Sequence, residues 1–178
     1  MDDAFTIQSE GFRASASHGI PSLALRYLNT HSDFATGAEK ILGRRLPEQG
    51  QVWAFSSPPA AIVWWSPTQT LILGQGMNIA AFDGLSSSSD GCVVDLSGAF
   101  SSIRCEGGQI AEVFARLGGP GILPRPGEVK RGRLAELPAM ALCLHEGRCE
   151  ILVEHYYAQH LQQWIGAAVA NLPSRTRS

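Results

Sequence analysis

The stretch Ala60-Ala-Ile-Val-Trp-Trp-Ser-Pro-Thr-Gln-Thr-Leu-Ile-Leu73 decides the fold of this chain. Its first arm has six consecutive apolar residues and its second arm has three, and Ser66 and Pro67 between them favour a tight turn. The pattern therefore predicts a β-hairpin. Because side chains alternate along a strand, we expect Trp64 and Trp65 on opposite faces, one in the core and the other covered by another element or another chain.

The composition indicates a globular protein with few charges. The chain has 178 residues, of which 44% are hydrophobic and 17% are charged, and this charged fraction lies below the usual quarter. A thinly charged surface indicates contact with a partner. The net charge of −2 creates no field that would attract nucleic acid or anionic lipid, so we predict neither as a partner.

The N-terminal residues and the lack of a long apolar segment predict a cytoplasmic location. Met1-Asp2-Asp3-Ala4-Phe5 is acidic and lacks the basic start and the apolar run of a signal peptide. No uninterrupted apolar segment is long enough to cross a bilayer. Without an export signal, the cysteines are expected to be buried free thiols rather than disulfides. They are Cys92, Cys105, Cys143 and Cys149.

Glycine, proline and serine divide the chain into three parts. Residues 1–21 are expected to form a loosely ordered N-terminal arm, residues 22–172 a single α+β domain, and residues 173–178 a disordered tail. Within the domain, a strand, a helix and a hairpin follow one another twice, and a helix closes the chain. This order predicts an α+β fold of antiparallel sheets with covering helices, in two split β-α-β-like halves.

The individual elements follow from apolar periodicity and from turn residues. The predicted strands and hairpin arms cover residues 22–29, 52–55, 60–73, 92–96, 101–105, 133–145 and 149–154, and the predicted helices cover 34–42 with Asp33 as N-cap, 110–117 and 155–172.

None of the motifs that resemble a catalytic or ligand site is complete. Gly74-x-Gly76 lies between a strand and a short helical pattern, but Ile79 stands where a dinucleotide fingerprint has its third glycine. His155 and His160 are five residues apart, whereas two metal ligands on one helical face need a spacing of three or four. We therefore predict no cofactor-binding and no metal-binding residue.

The cysteines do not resemble catalytic nucleophiles. Cys105-Glu106 and Cys149-Glu150 each place an acid beside a thiol, which opposes the lowered pKa that a nucleophilic cysteine needs. The chain also contains no G-x-S-x-G elbow and no P-loop. We predict no catalytic residue.

A segment rich in proline and glycine, Pro120 to Gly132, is expected to be a long irregular loop. The basic residues in and just after this segment have two interpretations. They belong to a solvated loop, or they form a docking surface for an acidic partner, since arginine makes directional ion pairs at interfaces. Together with the two tryptophans of the hairpin they make up the predicted partner interface, which comprises Trp64, Trp65, Arg125, Lys130, Arg131 and Arg133.

The order of these motifs resembles the gamma subunit of heterotetrameric sarcosine oxidase, a small relative of the glycine-cleavage T-protein fold. In that family a strand leads into a hairpin of the type Leu-Gly-Pro-Asp-Glu-Trp-Leu, and residues 64–73 occupy its place with Pro67 and the flanking apolar residues in common. The family's Asp-x-Ser strand is similar to Val94-Asp95-Leu96-Ser97, and its Pro-Gly loop to Pro126-Gly127. The resemblance covers residues 35–170 and lies in the order of elements.

The resemblance implies a subunit that has no cofactor and no catalytic residue of its own. In such complexes an alpha chain carries NAD and a folate-binding domain, a beta chain carries FAD and FMN, and a delta chain holds zinc. We therefore expect a non-catalytic gamma-type subunit that supports assembly beside these chains during oxidative demethylation of sarcosine or another N-methyl amino acid.

Two further functions stay open. The first is a free-standing T-protein-like protein that binds folate or transfers an aminomethyl group, although the chain is short for a complete T-protein. The second is a regulatory module that binds a small ligand on the face of a sheet.

Overall fold

The computed structural model describes residues 5–56, 59–74, 79–85 and 89–172, and the chain divides into two compact units. Unit 1 consists of the residues up to Gly19 together with those from Phe100 onward, and unit 2 consists of Ile20–Ala99. The single domain over residues 22–172 stays a prediction, and within the described chain each unit has its own sheet and its own apolar core. The predicted tail at 173–178 lies outside the described residues.

The described residues form eleven strands, three α-helices and three short 3₁₀ segments. The strands are β1 (Thr6–Ser9), β2 (Phe12–Ser17), β3 (Ser22–Tyr27), β4 (Val52–Ser56), β5 (Pro59–Ser66), β6 (Gln69–Gly74), β7 (Gly91–Asp95), β8 (Phe100–Glu106), β9 (Val129–Leu134), β10 (Leu137–His145) and β11 (Arg148–Glu154). The α-helices are α1 (Asp33–Leu42), α2 (Ile110–Arg116) and α3 (Ala158–Ala170), and the 3₁₀ segments are Ile79–Leu85, Pro120–Ile122 and His155–Tyr157.

Unit 2 is built on a five-stranded sheet in the order β4-β5-β6-β3-β7, with every pair antiparallel. The predicted hairpin is confirmed as β5 and β6, and Pro67 and Thr68 form its turn. Residues 52–55, predicted as a strand, form part of β4 at one edge of this sheet. The hairpin strands lie between β4 and β3, so both of their edges are paired. The adjacent residues Ile62 and Val63 point to opposite faces of β5, and both are buried.

The core of unit 2 lies between the sheet and α1. Leu25 and Tyr27 of β3 pack with Phe34 and Ala38 of α1 in one buried cluster. The hydroxyl group of Tyr27 shares a buried hydrogen bond of 2.9 Å with Thr70 Oγ1, which satisfies two polar groups that would otherwise be costly to bury.

Two side chains from different parts of unit 2 cap the N-terminus of α1. Ser32 is the N-cap residue, and its Oγ accepts a hydrogen bond from Ala35 N at 3.1 Å. The carboxylate of Asp90 accepts from Asp33 N and Phe34 N at 2.8 and 3.1 Å. The predicted N-cap at Asp33 is therefore wrong by one residue, and Asp33 instead places its negative charge in the first turn of the helix.

Unit 1 is built on a six-stranded antiparallel sheet in the order β1-β2-β8-β11-β10-β9. The N-terminal arm predicted to be loosely ordered instead supplies β1 and β2. Phe12 and Ala14 point to one face of β2 and are buried, which explains why this segment joins the sheet.

Helices α2 and α3 provide much of the core of unit 1. Val113 and Phe114 of α2 and Leu161 and Ile165 of α3 are fully buried in one cluster with sheet residues such as Ile151. Both helices were predicted from their apolar periodicity and are confirmed in type, although 3₁₀ geometry replaces the first turn predicted for the last helix.

The two units share one topology. In each, a strand is followed by a helix and then by a three-stranded meander whose last strand pairs with the first strand, namely β6 with β3 and β11 with β8. The hairpin predicted in each half therefore forms the last two strands of a meander. The first strand of that meander, β4 in unit 2 and β9 in unit 1, lies at the edge of its sheet.

The meander of unit 1 contains a turn that the sequence pattern did not predict. Ala135 and Glu136 have φ angles of 49° and 63° and connect β9 to β10 as a two-residue loop, which matches the positive φ values of a type I′ turn. The hairpin arm predicted from Arg133 to His145 is therefore two strands, and the irregular loop predicted over 120–132 ends in β9.

Gly91 allows α1 to pack closely on β7. A Cβ atom at Gly91 would overlap the Cγ atom of Phe34 and fall 2.7 Å from the carbonyl oxygen of Arg26. Since Phe34 is buried in the core of unit 2, the ring has little room to move away.

We expect Gly91→Ala to lower the free energy of unfolding by about 1–3 kcal/mol, because overpacking forces neighbouring side chains out of their preferred rotamers. Gly84→Ala is the matched control, since an added Cβ atom there meets no atom within 4 Å. Denaturant unfolding of the whole chain measures both values. Equal stability of the two variants would contradict this packing.

Candidate functional site

The two tryptophans of the predicted interface lie at the turn end of the hairpin in unit 2, and both are half-buried. The register passes from Trp64–Thr70 to Ser66–Gln69, so Trp65 is the extra residue of a β-bulge. The expectation that one of the two tryptophans enters the core is therefore wrong. The bulge breaks the strict alternation on which that expectation was based.

Trp64 lines a cleft of about 630 Å³ in unit 2, which has the size of a small-molecule site. Tyr27, Glu39, Arg45 and Thr68 are among the other lining residues. Glu39 accepts a hydrogen bond from Leu46 N at 2.9 Å, so one carboxylate oxygen already holds the loop after α1. The cleft therefore combines an aromatic wall with a few polar groups.

The basic residues of the predicted interface lie in unit 1, along β9 and just before it. Because β9 is an edge strand, its alternating side chains reach the rim of the sheet. Arg131 and Arg133 are exposed, whereas Lys130 is half-buried and its Nζ donates a 3.0 Å hydrogen bond to the carbonyl oxygen of Leu123. Lysine and arginine on an edge strand also hinder unwanted pairing with other strands.

Carboxylates close in sequence neutralise part of this basic surface. Glu128 accepts a hydrogen bond from Arg125 N at 3.0 Å and lies 3.8 Å from Lys130 Nζ. Glu136 forms an ion pair with Arg133 at 3.4 Å. Exposed pairs of this kind contribute little to stability, but they lower the positive potential that an acidic partner would meet.

A buried hydroxyl in unit 1 joins two histidines that sequence reasoning did not bring together. Ser101 Oγ lies 2.8 Å from His18 Nδ1 and 2.9 Å from His155 Nδ1, and the two rings meet edge to face at 5.5 Å. His18 Nε2 lies 3.4 Å from Gln162 Nε2. These residues are far apart in the sequence, so no local motif could have revealed the cluster.

The single hydrogen of Ser101 imposes a direction on this network. The hydroxyl can donate to only one imidazole, so it must accept from the other. If the Gln162 amide donates to His18 Nε2, then His18 Nδ1–H donates to Ser101, and Ser101 donates to His155 Nδ1. This order places a hydrogen on Nε2 of the exposed His155. Ser101 itself is fully buried, which suits it to positioning the rings rather than to attack on a substrate.

All four cysteines are free thiols, as predicted. Three are buried, but Cys92 is exposed on β7, which corrects the expectation of four buried thiols. Burial raises the pKa of Cys105 to about 12 and also raises the pKa of Cys149, with further increases from neighbouring ionisable groups. The thiolate, which is the reactive form, is therefore suppressed at both positions.

The described residues contain no group of three or more His, Cys, Asp and Glu side chains arranged to hold a metal ion. Over the same parts of the chain, no α-helix is both long and apolar enough to cross a membrane. The Gly74-x-Gly76 motif extends into residues 75–78, which lie outside the described residues.

We expect the Ser101→Ala variant to lose about 1–2 kcal/mol of stability, because the half-buried His18 loses its hydrogen-bond partner. Ser17→Ala, on the exposed end of β2 beside His18, is the control and should change stability by less than about 0.5 kcal/mol. Chemical denaturation measures both. A Ser101→Ala protein as stable as the control would show that the network does not hold this end of β2.

Thiol labelling of the native chain at about pH 8 should modify Cys92 alone, whereas labelling in denaturant should modify all four cysteines. The raised pKa values keep the thiols of Cys105 and Cys149 protonated in the folded state. The stability that these protonated thiols contribute is fully present below the thiol pKa of the unfolded chain, and it decreases as the pH rises above that value. Mass spectrometry of labelled peptides identifies the sites. Rapid native labelling of Cys105 or Cys149 would contradict the burial.

No protein-family model matches this chain, and no curated protein matches it at a significant level. Solved structures do match. A chain of the heterotetrameric sarcosine oxidase from Corynebacterium sp. U-96, in complex with pyrrole 2-carboxylate, has a TM-score of 0.82 at 20% identity, over 97% of this chain and 91% of that chain. The glycine cleavage system aminomethyltransferase T from Bartonella henselae has a TM-score of 0.61 at 13% identity.

The two matches differ in how much of the known protein they cover. The match with the aminomethyltransferase covers 84% of this chain but only 44% of that protein, so this chain spans less than half of it. In the sarcosine oxidase the match extends over nearly the whole of both chains. The chain therefore has the α+β fold of a subunit of heterotetrameric sarcosine oxidase, a fold that it shares in part with the T-protein.

Proposed function

We propose that this chain is a non-catalytic gamma-type subunit of a heteromeric, flavin- and folate-linked sarcosine oxidase or related N-methyl amino acid oxidoreductase. The observation that carries the proposal is the reciprocal coverage of the sarcosine oxidase chain, 97% in one direction and 91% in the other. The match extends over nearly the whole of both chains rather than over one part of either. The similarity in fold, at 20% identity, supports a related role. The proposal does not depend on matching individual residues of the two chains.

In the proposed complex, the chemistry belongs to the other chains. On the strength of the family resemblance, we assign NAD and tetrahydrofolate to an alpha-type subunit, FAD and FMN to a beta-type subunit and zinc to a delta-type subunit. The thiols of Cys105 and Cys149 are buried and have raised pKa values, which makes them unsuitable as nucleophiles. The role assigned to this chain is to support assembly, in the cytoplasm, beside the flavin-bearing and folate-binding subunits.

Co-expression tests the proposal directly. The tagged chain, produced together with the products of the neighbouring genes, is expected to elute with flavin-containing subunits in one peak, and the peak should oxidise sarcosine, dimethylglycine or N-methylglutamate. Omitting this chain should reduce the yield of assembled complex, because the remaining subunits lose one interface. Size-exclusion chromatography with flavin absorbance measures both. If the chain never elutes with a flavoprotein, the proposal is wrong.

A second function is supported by the cleft beside Trp64 and by the similarity to aminomethyltransferase T. In this alternative the chain binds folate by itself. Calorimetric titration of the isolated chain with tetrahydrofolate separates the two functions, since a gamma-type subunit should show no saturable binding. Tight binding that Trp64→Ala weakens would favour the alternative, and Trp53→Ala, on the neighbouring strand, is the control because that residue does not line the cleft.

A further inference from the structure

The cleft beside Trp64 lies within unit 2, at the end of the sheet that carries the hairpin turn. Its walls come from the segment after β3, from α1 and the segment that follows it, and from the turn between β5 and β6. Trp64 projects to the same face of β5 as Ile62, and Ile62 is buried in one cluster with residues of α1. The cleft is therefore the surface end of the layer between the sheet and α1.

Backbone hydrogen bonds shape this cleft before any ligand arrives. Tyr27 N donates to the carbonyl oxygen of Thr68 at 3.1 Å, which ties the end of β3 to the hairpin turn. Trp64 N donates to the carbonyl oxygen of Gln51 at 3.1 Å, and Gln51 N donates to that of Glu48 at 2.9 Å. These bonds tie the segment after α1 to β5. A preformed cleft loses little conformational freedom when it binds a ligand.

Three charged side chains line the cleft, and none of them forms an ion pair with another described residue. They are Glu39, Arg45 and Glu48. Glu39 is half-buried, and its Oε1 accepts the 2.9 Å hydrogen bond from Leu46 N. Arg45 directly precedes Leu46, so a carboxylate and a guanidinium lie on neighbouring parts of one wall. Both signs of charge are therefore available to a ligand.

The negative charge of Glu39 extends to the bottom of the cleft, where Tyr27 is buried. The Tyr27 hydroxyl group is already paired with Thr70 Oγ1. Burial raises the pKa of Tyr27, the hydrogen bond to Thr70 opposes this increase, and the carboxylate of Glu39 adds to it. A carboxylate that acts on a buried phenol in this way also favours a cation beside it.

The charges and the indole together define the class of ligand. Two carboxylates disfavour a phosphate or another polyanion, and an apolar molecule would displace water from charged groups without replacing its hydrogen bonds. A zwitterion satisfies both signs, because its ammonium group can pair with Glu39 and its carboxylate with Arg45. The indole of Trp64 adds an aromatic surface, which attracts methylated ammonium groups in particular.

We propose that this cleft binds a zwitterionic amino acid with a methylated amine, its ammonium group beside Trp64 and Glu39 and its carboxylate on Arg45. The choice of a methylated amine rests on the proposed function, because N-methyl amino acids are the substrates of that complex. The cleft of about 630 Å³ also admits an amino acid with a long side chain. The non-catalytic subunit then carries an effector site for the substrate class, on a chain that holds no flavin.

Dimethylglycine is the probe, and two related molecules are its matched controls. 3-Methylbutanoate has the same shape and carboxylate without the ammonium group, and trimethylammonium has the cation without the carboxylate. Calorimetric titration of the isolated full-length chain should give saturable binding of dimethylglycine with a Kd of about 1 mM or tighter. Each control should bind at least about tenfold more weakly, because each lacks one charge-assisted contact.

Glu39→Gln and Arg45→Gln test the two assigned contacts. A glutamine at position 39 keeps an oxygen that can accept from Leu46 N, so the segment after α1 stays held. Each variant is expected to weaken dimethylglycine binding at least about tenfold. Arg44→Gln is the matched control, because Arg44 lies 3.9 Å over the ring of Trp53 and does not line the cleft. Circular dichroism verifies that each variant folds.

The outcomes separate this site from the proposed function. Binding of dimethylglycine that Glu39→Gln and Arg45→Gln both weaken, and that Arg44→Gln preserves, supports the site. Absence of saturable binding, equal affinity for either control ligand, or binding that either cleft variant leaves unchanged overturns it. These results leave the proposed function standing, since co-elution with a flavoprotein tests that separately. A chain that binds dimethylglycine but never elutes with a flavoprotein would retain the site and lose the proposed function.

Discussion

The antiparallel pairing of β2 with β8 is the constraint on which the rest of unit 1 depends. The register runs from Arg13–Glu106 to Ser17–Ser102 and joins segments from opposite ends of unit 2 in the sequence. It buries Phe12 and brings His18 within hydrogen-bond distance of Ser101. The intervening residues then fold as a unit with its own sheet and core, and the cost of closing such a long loop grows only slowly with its length.

The ion pairs of unit 1 include cross-strand pairs between β8 and β11, such as Arg104 with Glu150, and local pairs along β9. Two of the basic residues of β9 have a carboxylate close in sequence, namely Lys130 with Glu128 and Arg133 with Glu136. The potential of this edge is therefore weaker than the count of its basic residues suggests. Helix α3 itself contains no Asp, Glu, Lys or Arg over Ala158–Ala170.

The sequence predicted elements well where the signal was local. The hairpin of β5 and β6 has two apolar arms around Ser66 and Pro67, and α2 has apolar residues at helical spacing, so both could be read from a short window. The turn at Ala135 and Glu136 could not, because neither residue is the glycine, asparagine or aspartate that usually marks positive φ. Because this turn was not predicted, β9 was not predicted either, and the three-stranded meander was predicted as a two-stranded hairpin.

By itself, the sequence determined the type of most elements, the α+β class and the free state of the cysteines, because apolar periodicity and composition act over a few residues. Only the tertiary structure decided that the N-terminal segment joins a sheet and that Ser101 lies between two histidines. It also decided that the bulge at Trp65 leaves both hairpin tryptophans half-buried. These features depend on pairing between distant segments, and a period of 2 or 3.6 residues carries no information about which distant strand supplies the partner.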